Sequence, residues 1–252
     1  MFELNDHVAL VTGGNGGLGL AMAKGLVKAG ARVAIWGRNP EKIGDAIEQL
    51  RALDGDVEGF VCDVTREDDV AAAFDNTLQR FGKVDSCFAN AGGGGKVGVL
   101  HEMALDDWRS NVDLNLTSVV LTFRPVIRHL LDRAAPGKLV ATSSAAAILG
   151  TPRNAAYSAT KAAVAGLIRA LAIELGPSGI QTNAILPGFI ETEMSLQAPP
   201  FFQEACKRRT AAGKAGELED MEGIAVYLAS PHSNFMTGQA IVIDGGQSVN
   251  PF

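Results

Sequence analysis

A chain of 252 residues that is 47% hydrophobic and 20% charged can bury a sizeable core, and its make-up is that of a soluble globular protein. The formal net charge of −6 argues against nucleic acid or an anionic membrane surface as the main partner. No uninterrupted apolar run approaches the ~18 residues of a membrane span, and "MFELNDHVALVTGG" lacks the basic and apolar segments of a leader, so a cytoplasmic protein is expected. Cys62, Cys87 and Cys206 form no CxxC pair, and His7, His101, His129 and His232 form no HxxxH or HExxH pattern. Neither a metal site nor a disulfide framework is expected, and the thiols read as small packed apolar groups.

Apolar β-branched runs then recur along the chain, each followed by a helical stretch. They are "VALVT" (8–12), "RVAIW" (32–36), "VEGFV" (57–61), "VDSCFA" (84–89), "KLVATS" (138–143), "QTNAIL" (181–186) and "QAIVID" (239–244). Strands alternating with helices predict an α/β protein: one doubly wound parallel sheet of about seven strands with helices on both faces, residues 1–252 forming a single domain. Asn39 and Pro40 read as an N-cap and first helical residue, and Thr65 with Asp68 reads as a capping box. In such a sheet ligands bind beyond the carboxyl ends of the strands, where the strand order reverses.

The first motif stands at such a place. "TGGNGGLG" (12–19) follows the first strand and opens the first helix, with Gly13, Gly17 and Gly19 spaced GxxxGxG. Glycines there permit a tight turn, let backbone N–H groups approach a pyrophosphate, and bring the helix close to the sheet. No Gly-Lys-Ser/Thr follows, which excludes a P-loop. The alternative is a glycine-rich turn with no ligand.

The second motif is "AAYSATKAAV" (155–164), a run of alanines carrying Tyr157 and, four residues on, Lys161. On a helix both side chains share a face, and the ammonium would favour the phenolate and pull the phenol below its usual pKa of about 10. Taken alone, the stretch reads equally as a packed Tyr beside a snorkelling Lys.

The order TGxxxGxG (12–19), Asn-Ala-Gly (90–92), Asn115, Ser144, Tyr157-xxx-Lys161 and Pro187-Gly188 resembles the classical branch of the short-chain dehydrogenase/reductase family, nearly end to end. The resemblance implies a Rossmann-type fold and hydride transfer between NAD(P) and a ketone or secondary alcohol. It implies that Tyr157 is the general acid in reduction and the base in oxidation, that Ser144 rather than Ser143 holds the carbonyl oxygen, and that Lys161 meets the nicotinamide ribose and, together with the positive nicotinamide ring of the oxidised cofactor, lowers the Tyr157 pKa. Asn115 would fix a water linking Lys161 to solvent. The plain alternatives are that Asn115 bends its helix by bonding to backbone and that Ser144 ends the fifth strand. The resemblance also implies cofactor contacts from Asn15 and Leu18 in the glycine-rich turn, from Asp63 and Val64 after the third strand, and from the border Asn90, Ala91 and Gly92. Pro187, Gly188, Ile190 and Thr192 would meet the nicotinamide end.

In dinucleotide folds an acid after the second strand takes the ribose hydroxyls of NAD, and an Arg nearby accommodates the 2′-phosphate of NADP. Here "AIWGRNPEK" puts Gly37 at the acid's place and Arg38 next, so NADP(H) is favoured and NAD(H) is the alternative. NADP-preferring relatives often add a basic residue within the glycine-rich turn, where Asn15 and Gly16 offer none.

Substrate specificity is expected in the loop 145–154 and in a segment at about 189–212, with Phe189, Met194, Phe201 and Phe202 as an apolar wall or as a subunit contact. Arg153 reads as a solvated loop residue, with contact to an anionic group on the substrate as the alternative. The family resemblance points to 3-oxoacyl-acyl-carrier-protein reductases and sugar-acid or polyol dehydrogenases, but "LAIE" puts Ile173 where carrier-protein reductases commonly have Arg. A homotetramer is expected, with the apolar end "SVNPF" at an interface. A dinucleotide sensor without chemistry is the non-enzyme alternative, and the filled catalytic set argues against it.

Overall fold

The computed structural model describes residues 2–250, so Pro251 and Phe252 of the apolar C-terminal stretch lie outside the described residues. Each of the seven predicted runs forms a strand of one parallel sheet: β1 (Val8–Thr12), β2 (Arg32–Gly37), β3 (Val57–Val61), β4 (Ser86–Ala89), β5 (Gly137–Thr142), β6 (Ile180–Pro187) and β7 (Ala240–Ile243). Their spatial order is β3-β2-β1-β4-β5-β6-β7. The chain therefore winds outward from β1 to β3, returns, and winds the other way from β4, leaving a crevice beyond β1 and β4.

Why these runs stay apolar throughout follows from the layers. In β1, Val8 and Leu10 join one buried cluster and Ala9 and Val11 the other, so both faces of the strand are covered. The first face packs on α3 (Glu67–Phe81), α5 (Ser118–Asp132) and α7 (Ala155–Leu175), through Phe74, Phe123 and Ile168. The second packs on α1 (Gly17–Lys28), α2 (Pro40–Arg51) and α9 (Glu222–Ala229), through Met22, Leu50 and Leu228. The outermost strand β7 alternates exposed and half-buried residues, as an edge does.

The helix ends divide. Asn39 accepts the Lys42 N–H at 3.0 Å with Pro40 behind it, as expected. The predicted capping box at Thr65 is absent: the Thr65 hydroxyl donates to Asp63 Oδ1 at 2.7 Å, and α3 starts one residue later behind Arg66 without a side-chain cap. Asp63 Oδ1 also accepts the Thr65 N–H at 3.0 Å, so Thr65 is held in a turn ahead of the helix rather than at its cap.

Residues 105–132 form one helical rod: α4 (Leu105–Val112) runs into a π turn (Asp113–Thr117) and then into α5. The short α6 (Ala146–Leu149) precedes α7, and α8 (Pro200–Arg209) lies within the segment after β6. The three cysteines are buried and unbridged, and no helix among the described residues is long and apolar enough to cross a membrane.

Candidate functional site

A cleft of about 690 Å³ opens beyond the carboxyl ends of the strands, within the range of roughly 300–1,000 Å³ usual for small-molecule sites. At its floor α1 begins behind Gly16 with no side-chain cap, and Gly17 and Leu18 of its first turn, whose N–H groups have no partner within the helix, line the cleft. Gly19 stands behind them, off the lining. A Cβ at Gly19 would come within 2.2 Å of the Gly13 carbonyl oxygen, so only glycine lets the turn close this tightly on the helix. An uncapped N-terminus at the switch point fits a dinucleotide pyrophosphate.

At one end the cleft is bordered by Gly37, Arg38, Asn39, Asp63 and Val64. A Cβ at Gly37 would lie 2.6 Å from the Asn15 side chain, which occupies the space an acidic residue would need. Arg38 is exposed and has no hydrogen bond or ion pair among the described residues. Asp63 is held below the usual carboxylate range: burial pushes it up, but the Thr65 hydroxyl and amide, with Arg38 and Arg66, outweigh that. Lys42, which the motifs did not single out, lines the same rim and pairs with Glu193 at 2.7 Å. Its place in the first turn after the Asn39 cap was the available signal.

At the other end α7 presents Tyr157 and Lys161 to the cleft, the ammonium 5.6 Å from the ring centroid. Lys161 Nζ donates to the Thr142 carbonyl at 2.8 Å, and burial brings its pKa down to about 8. With the side chains of this chain alone, burial pushes the Tyr157 phenol above its ordinary value, and the Ser144 hydroxyl pulls it only partly back. The cost of desolvating a phenolate outweighs the partners this chain supplies. The two serines are distinguished by direction, since Ser143 donates to the Lys161 carbonyl at 2.7 Å while Ser144 meets Tyr157 in the cleft.

Asn115 does not line the cleft. Fully buried on the π turn, it accepts the Gly93 N–H at 3.1 Å and donates to the Gly93 carbonyl at 2.9 Å, and it also bonds Asn111 in its own helix. It backs the wall formed by Gly92 and Gly93. Asn90 and Ala91 border the cleft and bond Thr12 of β1.

The segment after β6 closes the remaining side with Pro187, Gly188, Phe189, Ile190, Thr192 and Met194. Thr192 and Ser195 exchange hydrogen bonds at 2.8 and 3.0 Å, which folds this stretch into a self-contained turn; Ser195 was not legible as a site residue. The expected apolar wall is only partly present: Phe189 and Met194 reach the cleft, whereas Phe201, 76% exposed, and Phe202 lie outside it. Arg153 is also exposed and off the lining. Among the described residues no group of three metal-ligating side chains stands together.

Residues 13–248 match a family model described as Enoyl-(Acyl carrier protein) reductase. The chain is 36% identical to gluconate 5-dehydrogenase of Gluconobacter oxydans over 252 residues, covering 99% of this chain and 98% of that one. The chain belongs to the short-chain dehydrogenase/reductase family. A second short-chain dehydrogenase/reductase relative, the 3-oxoacyl-[acyl-carrier-protein] reductase of Chlamydia pneumoniae, is 35% identical over 237 residues, 94% of this chain and 95% of that one. Among solved structures, 7α-hydroxysteroid dehydrogenase with NADH and a 7-oxo bile acid superposes with a TM-score of 0.93 at 28% identity, covering 97% of this chain and 95% of that one. The family uses NAD(P)(H), and the protein is an NAD(P)-dependent oxidoreductase of ketones and secondary alcohols.

The buried ammonium gives a stability test. Because the Lys161 pKa is about 8 when folded and 10.5 ordinarily, the unfolded chain binds more protons between those values, and this residue's contribution rises with pH across that window. Lys161→Met is expected to be more stable than wild type at pH 7 by about 1–3 kcal/mol in urea unfolding, with the gap narrowing from pH 8 to 10.5. A destabilised variant at pH 7 would contradict the burial penalty.

Proposed function

We propose that the protein is an NADP(H)-preferring carbonyl reductase or alcohol dehydrogenase in which Tyr157, Ser144 and Lys161 carry the proton chemistry. The single observation that carries the reading is the meeting of Tyr157, Ser144 and buried Lys161 at one end of a cleft whose floor has an uncapped helix N-terminus. When bound, the dinucleotide supplies or accepts the hydride. Ser144 hydrogen-bonds the substrate oxygen, and Tyr157 gives that oxygen a proton in reduction and takes one in oxidation. Since burial keeps the Tyr157 phenol protonated at neutral pH, the site is ready as an acid, and its use as a base improves with rising pH. The Lys161 ammonium stabilises the phenolate after proton transfer. Asn115, through Gly93, holds the wall beside Lys161.

The preference for NADP(H) rests on Asn15 filling the space above Gly37 and on the unpaired Arg38. The substrate is a medium-sized ketone or secondary alcohol, met by Phe189 and Met194 on the apolar side. Ile173 is 82% exposed, at the position where a carrier-protein reductase would use a cation, which favours a free small molecule over an acyl carrier protein. The likeness to gluconate 5-dehydrogenase supports a second reading, oxidation of a sugar acid or polyol with NAD. We also place the protein in the cytoplasm as a homotetramer, with exposed Ile173, Phe235 and Val242 as apolar contact groups.

Three measurements test these statements. Tyr157→Phe should lower turnover at least ~100-fold on a panel of oxoacyl esters, sugar ketones, steroids and diketones while cofactor still binds; retained turnover would remove Tyr157 from the chemistry. Arg38→Asp should shift the KM ratio toward NADH by about tenfold or more, and an unchanged ratio would leave the NAD reading. Light scattering on the purified protein should give four times the chain's 26.3 kDa, and a monomer would rule out the assembly.

A further inference from the structure

We infer that Lys42 is a second cation for the 2′-phosphate of NADP(H), and that its ion pair with Glu193 sets that phosphate and the substrate-binding segment in competition for one ammonium. This rests on the NADP(H) reading above. A phosphate monoester carries about −1.5 to −2 charges at pH 7, so a single arginine leaves part of it uncompensated. Arg38, which makes no ion pair among the described residues and acts on Asp63 only through space, stands on the rim, and Lys42 lines the same cleft beside Asn39.

The position of Lys42 is well defined. Its backbone N–H is held by the Asn39 cap, so the side chain leaves the first turn of α2 toward the rim, where Nζ meets Glu193 Oε2 at 2.7 Å. The backbone of Glu193 is fixed as well, standing inside the turn that Thr192 and Ser195 close by exchanging hydrogen bonds. The pair thus joins two sides of one cleft: the helix at the adenosine end and the turn that borders the nicotinamide end.

Both side chains are at least half exposed, at 50% and 76%, so solvent screens the pair and it is easily exchanged. A phosphate dianion already gripped by Arg38 outcompetes one carboxylate for the ammonium. NAD(H) has no such phosphate and leaves the pair intact. The set of the segment over the substrate therefore depends on which dinucleotide is bound, and Glu193 acts as a built-in competitor of the 2′-phosphate.

The test is calorimetric titration of the full-length protein with adenosine 2′,5′-bisphosphate and with adenosine 5′-monophosphate, which differ only in the 2′-phosphate. Lys42→Met should weaken the bisphosphate about three- to tenfold and leave the monophosphate unchanged, Lys42→Arg should restore binding, and Glu193→Gln should strengthen the bisphosphate about twofold or more. Amide hydrogen exchange across 190–197 should quicken when the bisphosphate, but not the monophosphate, saturates the wild type, and should be fast and unresponsive in Glu193→Gln. If Lys42→Met weakens both nucleotides alike or neither, or Glu193→Gln leaves the bisphosphate affinity unchanged, the inference is overturned. Arg38→Ala separates the two levels. Loss of bisphosphate preference in Arg38→Ala but not in Lys42→Met leaves the NADP(H) reading standing without Lys42, and wild type that binds the two nucleotides equally removes both.

Discussion

Asn90 ties three strand ends together, and the site depends on that knot. Its side-chain nitrogen donates to the Thr12 carbonyl at 3.1 Å, its backbone N–H donates to the Thr12 hydroxyl at 3.0 Å, and its side-chain oxygen accepts from Thr142 at 3.1 Å. The chain of contacts continues, because the Thr142 carbonyl receives Lys161. The ends of β1, β4 and β5 launch, in turn, the glycine-rich turn, the Gly92–Gly93 wall and the Ser144 loop. A short hydrogen-bonded network in low dielectric thus fixes the relative positions of groups that come from distant parts of the chain.

The parts legible in the sequence were those with a local physical signature. All seven strands were visible as apolar β-branched runs, the five inner ones because they are buried on both faces, and the strand–glycine turn–helix succession marked the floor of the cleft. Tyr157 and Lys161 were legible because four residues on a helix is one face. What escaped was set by contacts across the fold. Thr65 looked like a cap, but Asp63, two residues away, takes its hydroxyl. Lys42 and Ser195 carry no motif, and only the close approach of α2 to the segment after β6 brings Lys42 to the cleft. Phe201 and Phe202 have the composition of a pocket wall, yet α8 turns them outward, which composition alone does not encode.

The direction of the Tyr157 shift shows how the chemistry is apportioned. Burial excludes water from the reacting oxygen but penalises charge on every group there, depressing the Lys161 ammonium as it raises the phenol. Opposite movements of an acid and a cation whose ordinary values nearly coincide set their proton affinities apart, so the phenol keeps its proton at a pH where the buried ammonium begins to lose its own. The same enclosure makes the folded chain less stable than an apolar filling would, so stability and chemistry pull in different directions at this helix.

The π turn at Asp113–Thr117 has the character of an inserted residue. A π turn holds one residue more than the α turn it replaces, and its backbone bonds are poorer. Deleting the extra residue would close the rod to a smooth α-helix and leave its two flanks close to their present places, so the change would fall on the residues of the turn itself, which would be redistributed around the helix. Asn115 would then swing off Gly93, and the wall beside Lys161 would lose its backing. Length in this rod is therefore constrained as tightly as residue identity: a single-residue deletion here is a change of site geometry, whereas one in an outer loop is only a change of length.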